Sequence, residues 1–118
     1  MKTIILSIIT LTAFGFGASA QWTQITPNNL NAVTKGSVAF VDIDGDNDQD
    51  LLITGDSVSK KITKLYTNNG SGNFTEVTGT PFDGVHYSAI AFADVDGDND
   101  QDVLITGNNT AYQKKTKL

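Results

Sequence analysis

Apolar residues in this chain fall in short runs separated by polar, Gly- and Asn-rich turns. Val38-Ala39-Phe40-Val41 is apolar at every position, which predicts a strand, Val38 to Asp42, buried on both faces between neighbours. Leu51 to Thr54 is a second apolar run rich in strand-favouring residues. Ile62 to Thr67 mixes Lys64 with Leu65 and Tyr66, the pattern of a half-exposed strand, and Phe74 to Val77 alternates again. Asn68-Asn69-Gly70-Ser71-Gly72-Asn73 reads as the loop of a hairpin between the last two. Gly79-Thr80-Pro81 interrupts the pattern. No stretch beyond Gln21 carries a helical period, so the expected fold class is all-β.

The pattern then repeats. Trp22-Thr23-Gln24-Ile25-Thr26 matches Phe74-Thr75-Glu76-Val77-Thr78, an offset of 52 positions. The same offset relates Leu30 to Phe82, Val33 to Val85, Ser37–Val41 to Ala89–Ala93 and Leu51–Gly55 to Val103–Gly107. Beyond Gly55 the second copy has one extra residue, and Thr63-Lys64-Leu65 aligns with Thr116-Lys117-Leu118. A period near 50 residues with four short strands per unit belongs to propeller blades. The expected architecture is a partial β-propeller of about two four-stranded blades. Stacked units bury their faces only on neighbours, and a propeller needs at least four blades, so the chain is expected to be part of a longer protein. The remaining blades of that protein would then be its nearest partners.

Between the first two strands of each copy lies an acidic loop. Asp42-Ile43-Asp44-Gly45-Asp46-Asn47-Asp48-Gln49-Asp50 returns as Asp94-Val95-Asp96-Gly97-Asp98-Asn99-Asp100-Gln101-Asp102. These two segments hold ten of the 13 acidic residues. Two carboxylates about 5 Å apart repel by roughly 3 kcal/mol at an effective dielectric near 20. A divalent cation removes that cost, and calcium takes six to eight oxygens in a flexible geometry. The alternating aspartates around a bending Gly therefore predict two Ca²⁺ sites. The bland alternative is a solvated acidic turn. An EF-hand fits less well, because its Gly falls at the sixth loop position and a Glu closes at the twelfth.

Charge and composition sharpen this picture. The formal net charge is −5, yet outside the loops only Asp56, Glu76 and Asp83 are acidic, so the acidity is local. All basic residues are lysines, and the lack of Arg argues against phosphate or nucleic-acid partners. Cys is absent, which leaves metal as the candidate staple for a small secreted unit. Residues 1–20 read as a secretory signal peptide: Lys2, the apolar stretch Ile4 to Phe16, then Ala18-Ser19-Ala20 before Gln21. The apolar stretch is short for a membrane span, and no other segment is apolar enough to cross. The expected location is extracellular or cell-surface, with residues 21–118 as the repeat region.

The order of an inner strand, an Asp-x-Asp-Gly-Asp-x-x-x-Asp loop, an apolar strand ending in Gly, and Leu65-Tyr66-Thr67-Asn68-Asn69-Gly70-Ser71-Gly72-Asn73-Phe74 resembles the FG-GAP or VCBS repeat. That family builds β-propellers. The resemblance spans essentially residues 21–118. It implies that Asp42, Asp44 and Asp46 donate side-chain oxygens to calcium, Asp48 its carbonyl, and that Asp50 closes the site. It implies the same for Asp94, Asp96, Asp98, Asp100 and Asp102. Asn47 and Asn99 stand where the family often has Gly, a tolerable departure because Asn accepts the left-handed conformation.

For other candidates the expectation is structural. Trp22, Phe40, Phe74, Phe82 and Phe92 are expected in cores between blades. Tyr66 and Tyr112 are the aromatics best placed for carbohydrate stacking. His86 has no chemical partners near it in sequence. Lys60, Lys61, Lys114, Lys115 and Lys117 are expected on a solvated face. No nucleophile-base pair, P-loop, dinucleotide fingerprint or zinc motif is present, so no catalysis is expected of this segment. The functional expectation is a secreted calcium-binding segment serving adhesion or the binding of an extracellular protein or glycan. The alternative is a non-catalytic or substrate-binding part of an extracellular enzyme such as a polysaccharide lyase.

Overall fold

The computed structural model describes residues 29–109 and 114–117. The described residues form seven strands and no helix. β1 (Thr34–Val41), β2 (Asp50–Asp56), β3 (Lys61–Asn68) and β4 (Phe74–Val77) make a four-stranded sheet in sequence order. β5 (His86–Ala93), β6 (Asp102–Asn108) and β7 (Lys114–Lys117) make a three-stranded one. All pairings are antiparallel. The strands expected at Val38–Asp42, Leu51–Thr54, Ile62–Thr67 and Phe74–Val77 are present as β1 to β4, the first ending at Val41. The expected signal peptide, the expected strand Trp22 to Thr26 with its Trp22, and Tyr112 lie outside the described residues.

The registers repeat as the sequence does. Val38 pairs Ile53 and Phe40 pairs Leu51; 52 residues on, Ile90 pairs Ile105 and Phe92 pairs Val103. Ile53 pairs with Lys64 on β3, while Ile105 pairs with Lys117 on β7, an offset of 53 that places the inserted residue between β6 and β7. Both copies carry the same irregularity in the first strand, with Lys35 and Tyr87 at φ of 52° and 46°. The sequence pattern did not reveal this bulge, since neither residue favours the left-handed region.

Directly opposed residues of an antiparallel pair share a face. One face of the first sheet therefore carries Val38, Phe40, Leu51, Ile53 and Tyr66, and the other carries Ala39, Leu52 and Leu65. Two clusters follow. Leu51, Ile53 and Tyr66 are buried on the first face, covered by Leu30 and Val33 from the segment before β1 and by Phe74. Leu52 on the second face meets Val85 and Ile105, with Leu65, Phe82, Ile90, Phe92 and Val103 packed around them. The second sheet thus lays its Ile90/Phe92/Val103/Ile105 face onto the Leu52/Leu65 face of the first. Phe82 and Val85, from the segment before β5, are wedged into this interface at the positions equivalent to Leu30 and Val33. Fully burying a large aliphatic side chain contributes about 1.5–3 kcal/mol, so this stacked interface is a main source of stability.

A polar seam runs along the same interface. The hydroxyls of Thr54 and Ser88 lie 2.6 Å apart, and His86 Nδ1 is 2.9 Å from Asp56 Oδ2. The Nζ of Lys35 stands 5.3 Å from the ring centroid of Tyr87, so the two bulge residues meet across the interface. Ile62 also forms an isolated antiparallel bridge with Val85.

Four expectations need correction. The strand Val38 to Asp42 is not buried on both faces: Val38 and Phe40 are each 59% exposed, because nothing described lies over that end of the first sheet. Phe40 accordingly is no core residue, whereas Phe74, Phe82 and Phe92 do pack against clusters. Tyr66 is fully buried, so its ring is closed to carbohydrate stacking. Lys61 is not on a solvated face; its side chain is only 13% exposed, with Nζ 3.9 Å from Asp56 Oδ1.

Candidate metal centres

Each acidic loop connects two strands that are already paired, so its ends are held at fixed separation. Within the loop, aspartate side chains cap successive backbone N–H groups. In the first, Gly45 N donates to Asp42 Oδ1 at 2.8 Å and Asn47 N to Asp42 Oδ2 at 2.9 Å. Asp46 N donates to Asp44 Oδ1 at 3.2 Å and Asp48 N to Asp46 Oδ1 at 2.8 Å. Ile43 N donates to Asp50 Oδ2 at 2.9 Å. The second loop repeats each bond: Gly97 and Asn99 onto Asp94, Asp98 onto Asp96, Asp100 onto Asp98, and Val95 onto Asp102.

This inward curl requires left-handed backbone. Gly45 and Gly97 have φ of 78° and 81°, and Asn47 and Asn99 have φ of 70° and 72°. Both departures from Gly are thus accommodated by the residue type that best tolerates the region after Gly itself.

The curl brings one ligand oxygen each from Asp42, Asp44 and Asp50 within 4.8 Å of one another, and likewise from Asp94, Asp96 and Asp102. Asp46 and Asp48, with Asp98 and Asp100, are not members of these trios. Asp46 accepts the Asp48 N–H and Asp98 the Asp100 N–H. The donor sets are all hard oxygen, without His or Cys, which matches calcium or magnesium and not zinc. Each carboxylate oxygen retains a lone pair beside the N–H it accepts. The residues present therefore fit a hard divalent cation. Partial desolvation in the curl, followed by the charges of Asp46 and Asp50, pushes the Asp44 carboxyl above its ordinary value, against the opposing pull of the Asp46 N–H.

The loops differ in what surrounds them. Asp50 is fully buried, and its second oxygen accepts Asn68 N at 2.8 Å, while Asn68 Nδ2 donates to Gln49 O at 3.2 Å. A Cβ on Gly70 would stand 2.5 Å from Asp48 Oδ2, so the β3–β4 hairpin closes down on the first loop. Asn68 is the site residue that the sequence reading placed only in a turn. Its signal was present: a side chain with donor and acceptor at the end of the strand flanking Asp50. No counterpart to these contacts is found around the second loop among the described residues.

The model of the FG-GAP-like repeat matches residues 42–105. This span runs from the first aspartate of the first loop to the core residue Ile105, more than half of the chain. The chain belongs to the FG-GAP-like repeat family. Neither the curated proteins nor the solved structures contain a match. The matched span takes in both aspartate trios, β2 to β5 and the apolar cluster of the stacked interface, and begins just after β1. His86 of this FG-GAP-like repeat chain sits in that interface, buried, facing Asp56. It stands on the sheet stack, away from both trios.

Proposed function

We propose that this chain is a calcium-stabilised segment of a secreted β-propeller, its two sheets serving as blades, and that it acts in adhesion or in binding an extracellular protein or glycan. The observation that carries the metal reading is the duplicated trio. Two loops of near-identical sequence each converge three carboxylates within 4.8 Å. A bound calcium supplies positive charge at that point and removes the mutual repulsion of the aspartates. Asp42, Asp44 and Asp50 would hold it in the first loop, and Asp94, Asp96 and Asp102 in the second. Asp46 and Asp98 keep the backbone curled. The secreted reading rests on Lys2, the apolar run Ile4 to Phe16 and the Ala18-Ser19-Ala20 signal. The blade reading rests on the family, on the antiparallel order of the strands and on face-to-face stacking at a constant offset.

Isothermal titration with calcium is the test. Two binding events are expected for the native chain, one for Asp44→Ala or Asp96→Ala, and none for the double variant. Equal heats for the native chain and the double variant would refute the metal reading. N-terminal sequencing of the exported protein, expected to begin at Gln21, tests the secreted reading separately.

A further inference from the structure

The β3–β4 hairpin that closes over the first acidic loop carries the one Asn-Gly step of the sequence, Asn69-Gly70. Asn69 is exposed. Its side-chain oxygen accepts Ser71 N at 3.1 Å and Asn73 N at 3.3 Å, and its own N–H donates to Asn73 O at 3.2 Å. The bond from Ser71 N closes an Asx turn, whose ring of atoms includes Gly70 N. The carboxamide carbon of Asn69 and the nitrogen of Gly70 are thereby held close, where a five-membered ring can form between them. Three further features favour that ring. Gly70 has no Cβ to shield its nitrogen. Among the described residues nothing accepts the Gly70 N–H. The two N–H groups on Asn69 Oδ1 stand where negative charge develops when the carboxamide carbon is attacked. Asn73, exposed on the same loop, is followed by Phe74, whose side chain crowds the corresponding nitrogen.

We propose that Asn69 is a site of spontaneous deamidation, and that its product loosens the cover over the first acidic loop. Gly70 N attacks Asn69 Cγ and gives its proton to water. The bond from Cγ to Nδ2 breaks, and Nδ2 leaves as ammonia with a proton taken back from water. The cyclic imide then adds one water and opens at either carbonyl, to aspartate or to isoaspartate. In sum, one amide and one water become one carboxylate and one ammonium ion, with no oxidant or reductant. Either product puts a negative charge next to Gly70, which packs against the Asp48 carboxylate; a Cβ there would stand 2.5 Å from Asp48 Oδ2. In isoaspartate the main chain also runs through the former side chain and gains a methylene between Asn68 and Gly70. The 2.8 Å bond from Asn68 N to Asp50 and the approach of Gly70 to Asp48 then cannot both be kept. This consequence rests on the calcium reading of the first loop, whereas the chemistry at Asn69 does not.

Incubation of the full chain at mildly alkaline pH in calcium-containing buffer, followed by peptide mass mapping, tests the site. Asn69 of the folded chain is expected to show the amide-to-acid mass change several times faster than Asn73. Enzymatic methylation is expected to detect isoaspartate in the same peptide. Asn69→Gln, whose imide would need a six-membered ring, is expected to stay unchanged there. An Asn69 that converts no faster than Asn73, or only in urea, overturns the proposal. The consequence is read by calcium titration of the Asp96→Ala chain, in which the first loop alone remains, fresh and after incubation. The incubated chain is expected to bind severalfold more weakly, and an incubated Asn69→Gln/Asp96→Ala chain as tightly as its fresh form. Equal binding before and after complete conversion overturns the loosened cover. A fresh Asp96→Ala chain that takes up no calcium refutes the calcium reading and that consequence together, and the mass change still decides the site.

Discussion

The two acidic loops have nearly the same sequence and the same internal hydrogen bonds, yet they live in different surroundings. The first is closed over by the β3–β4 hairpin, and its last aspartate, Asp50, is buried and holds two backbone N–H groups from different parts of the chain. Among the described residues no hairpin lies over the second, where Asp102 accepts from Val95 N. The leucines that follow differ in the same way. Leu52 is sandwiched between the sheets, and Leu104 faces outward. Nine residues and a Gly bend are enough to curl a loop, because each bond in the curl spans seven positions or fewer. Burial is decided by what arrives from elsewhere.

Paired substitutions test this contrast. The largest difference is expected for Leu52→Ala against Leu104→Ala. The first leaves a cavity in the stacked interface and should cost about 2–5 kcal/mol. The second, at a site already 37% exposed, should cost a small fraction of that in urea unfolding of the single chain. Equal losses would mean that Leu104 is covered in solution.

Asp50→Ala and Asp102→Ala come next, compared without metal. Removing Asp50 strands the N–H groups of Ile43 and Asn68 in a part-buried place, at about 1–3 kcal/mol for each such group. Removing Asp102 strands one exposed N–H, which water can satisfy. The difference should appear in urea midpoints measured with chelator. If calcium is then restored, both variants are expected to lose binding at their own site alone.

Acid unfolding probes the seam, where Asp56 in the first repeat is replaced by Asn108 in the second. The hydrogen bond from His86 holds the Asp56 carboxyl below its ordinary value of 3.8, helped by the charges of His86, Lys61 and Lys35 and opposed by desolvation. Its folded value is depressed, so its contribution is present above 3.8 and is lost as the pH falls through the lower folded value. Asp56→Asn should therefore remove part of the acid-limb loss seen below that pH. An unchanged acid limb would show that the seam does not couple to folding.

The smallest effect is expected for Glu76→Gln. The Lys64–Glu76 pair is close, at 2.6 Å, and raises the Lys64 ammonium above its ordinary value. Both side chains are partly exposed, and such pairs contribute under about 1 kcal/mol. The loss should shrink further in high salt. A larger, salt-insensitive loss would show that the edge of the first sheet is less solvated than it stands here.

The repeat, the strands, the hairpin loop and the curl of the aspartates were all legible in the residues themselves. Each depends on contacts a few positions apart or on a two-residue period, and the offset of 52 carried the register from one copy to the other. The chain could not announce which face of a strand would find a partner. Val38 and Phe40 have the same character as Ile90 and Phe92, and only the stacking order leaves the first pair exposed and packs the second. The burial of Tyr66, the anchoring of Asp50 by Asn68 and the meeting of Lys35 with Tyr87 likewise join residues 8 to 52 positions apart. A pattern along the chain states what each residue prefers. The tertiary structure decides whose preference is met, because burial needs a second surface and that surface comes from a distant part of the chain.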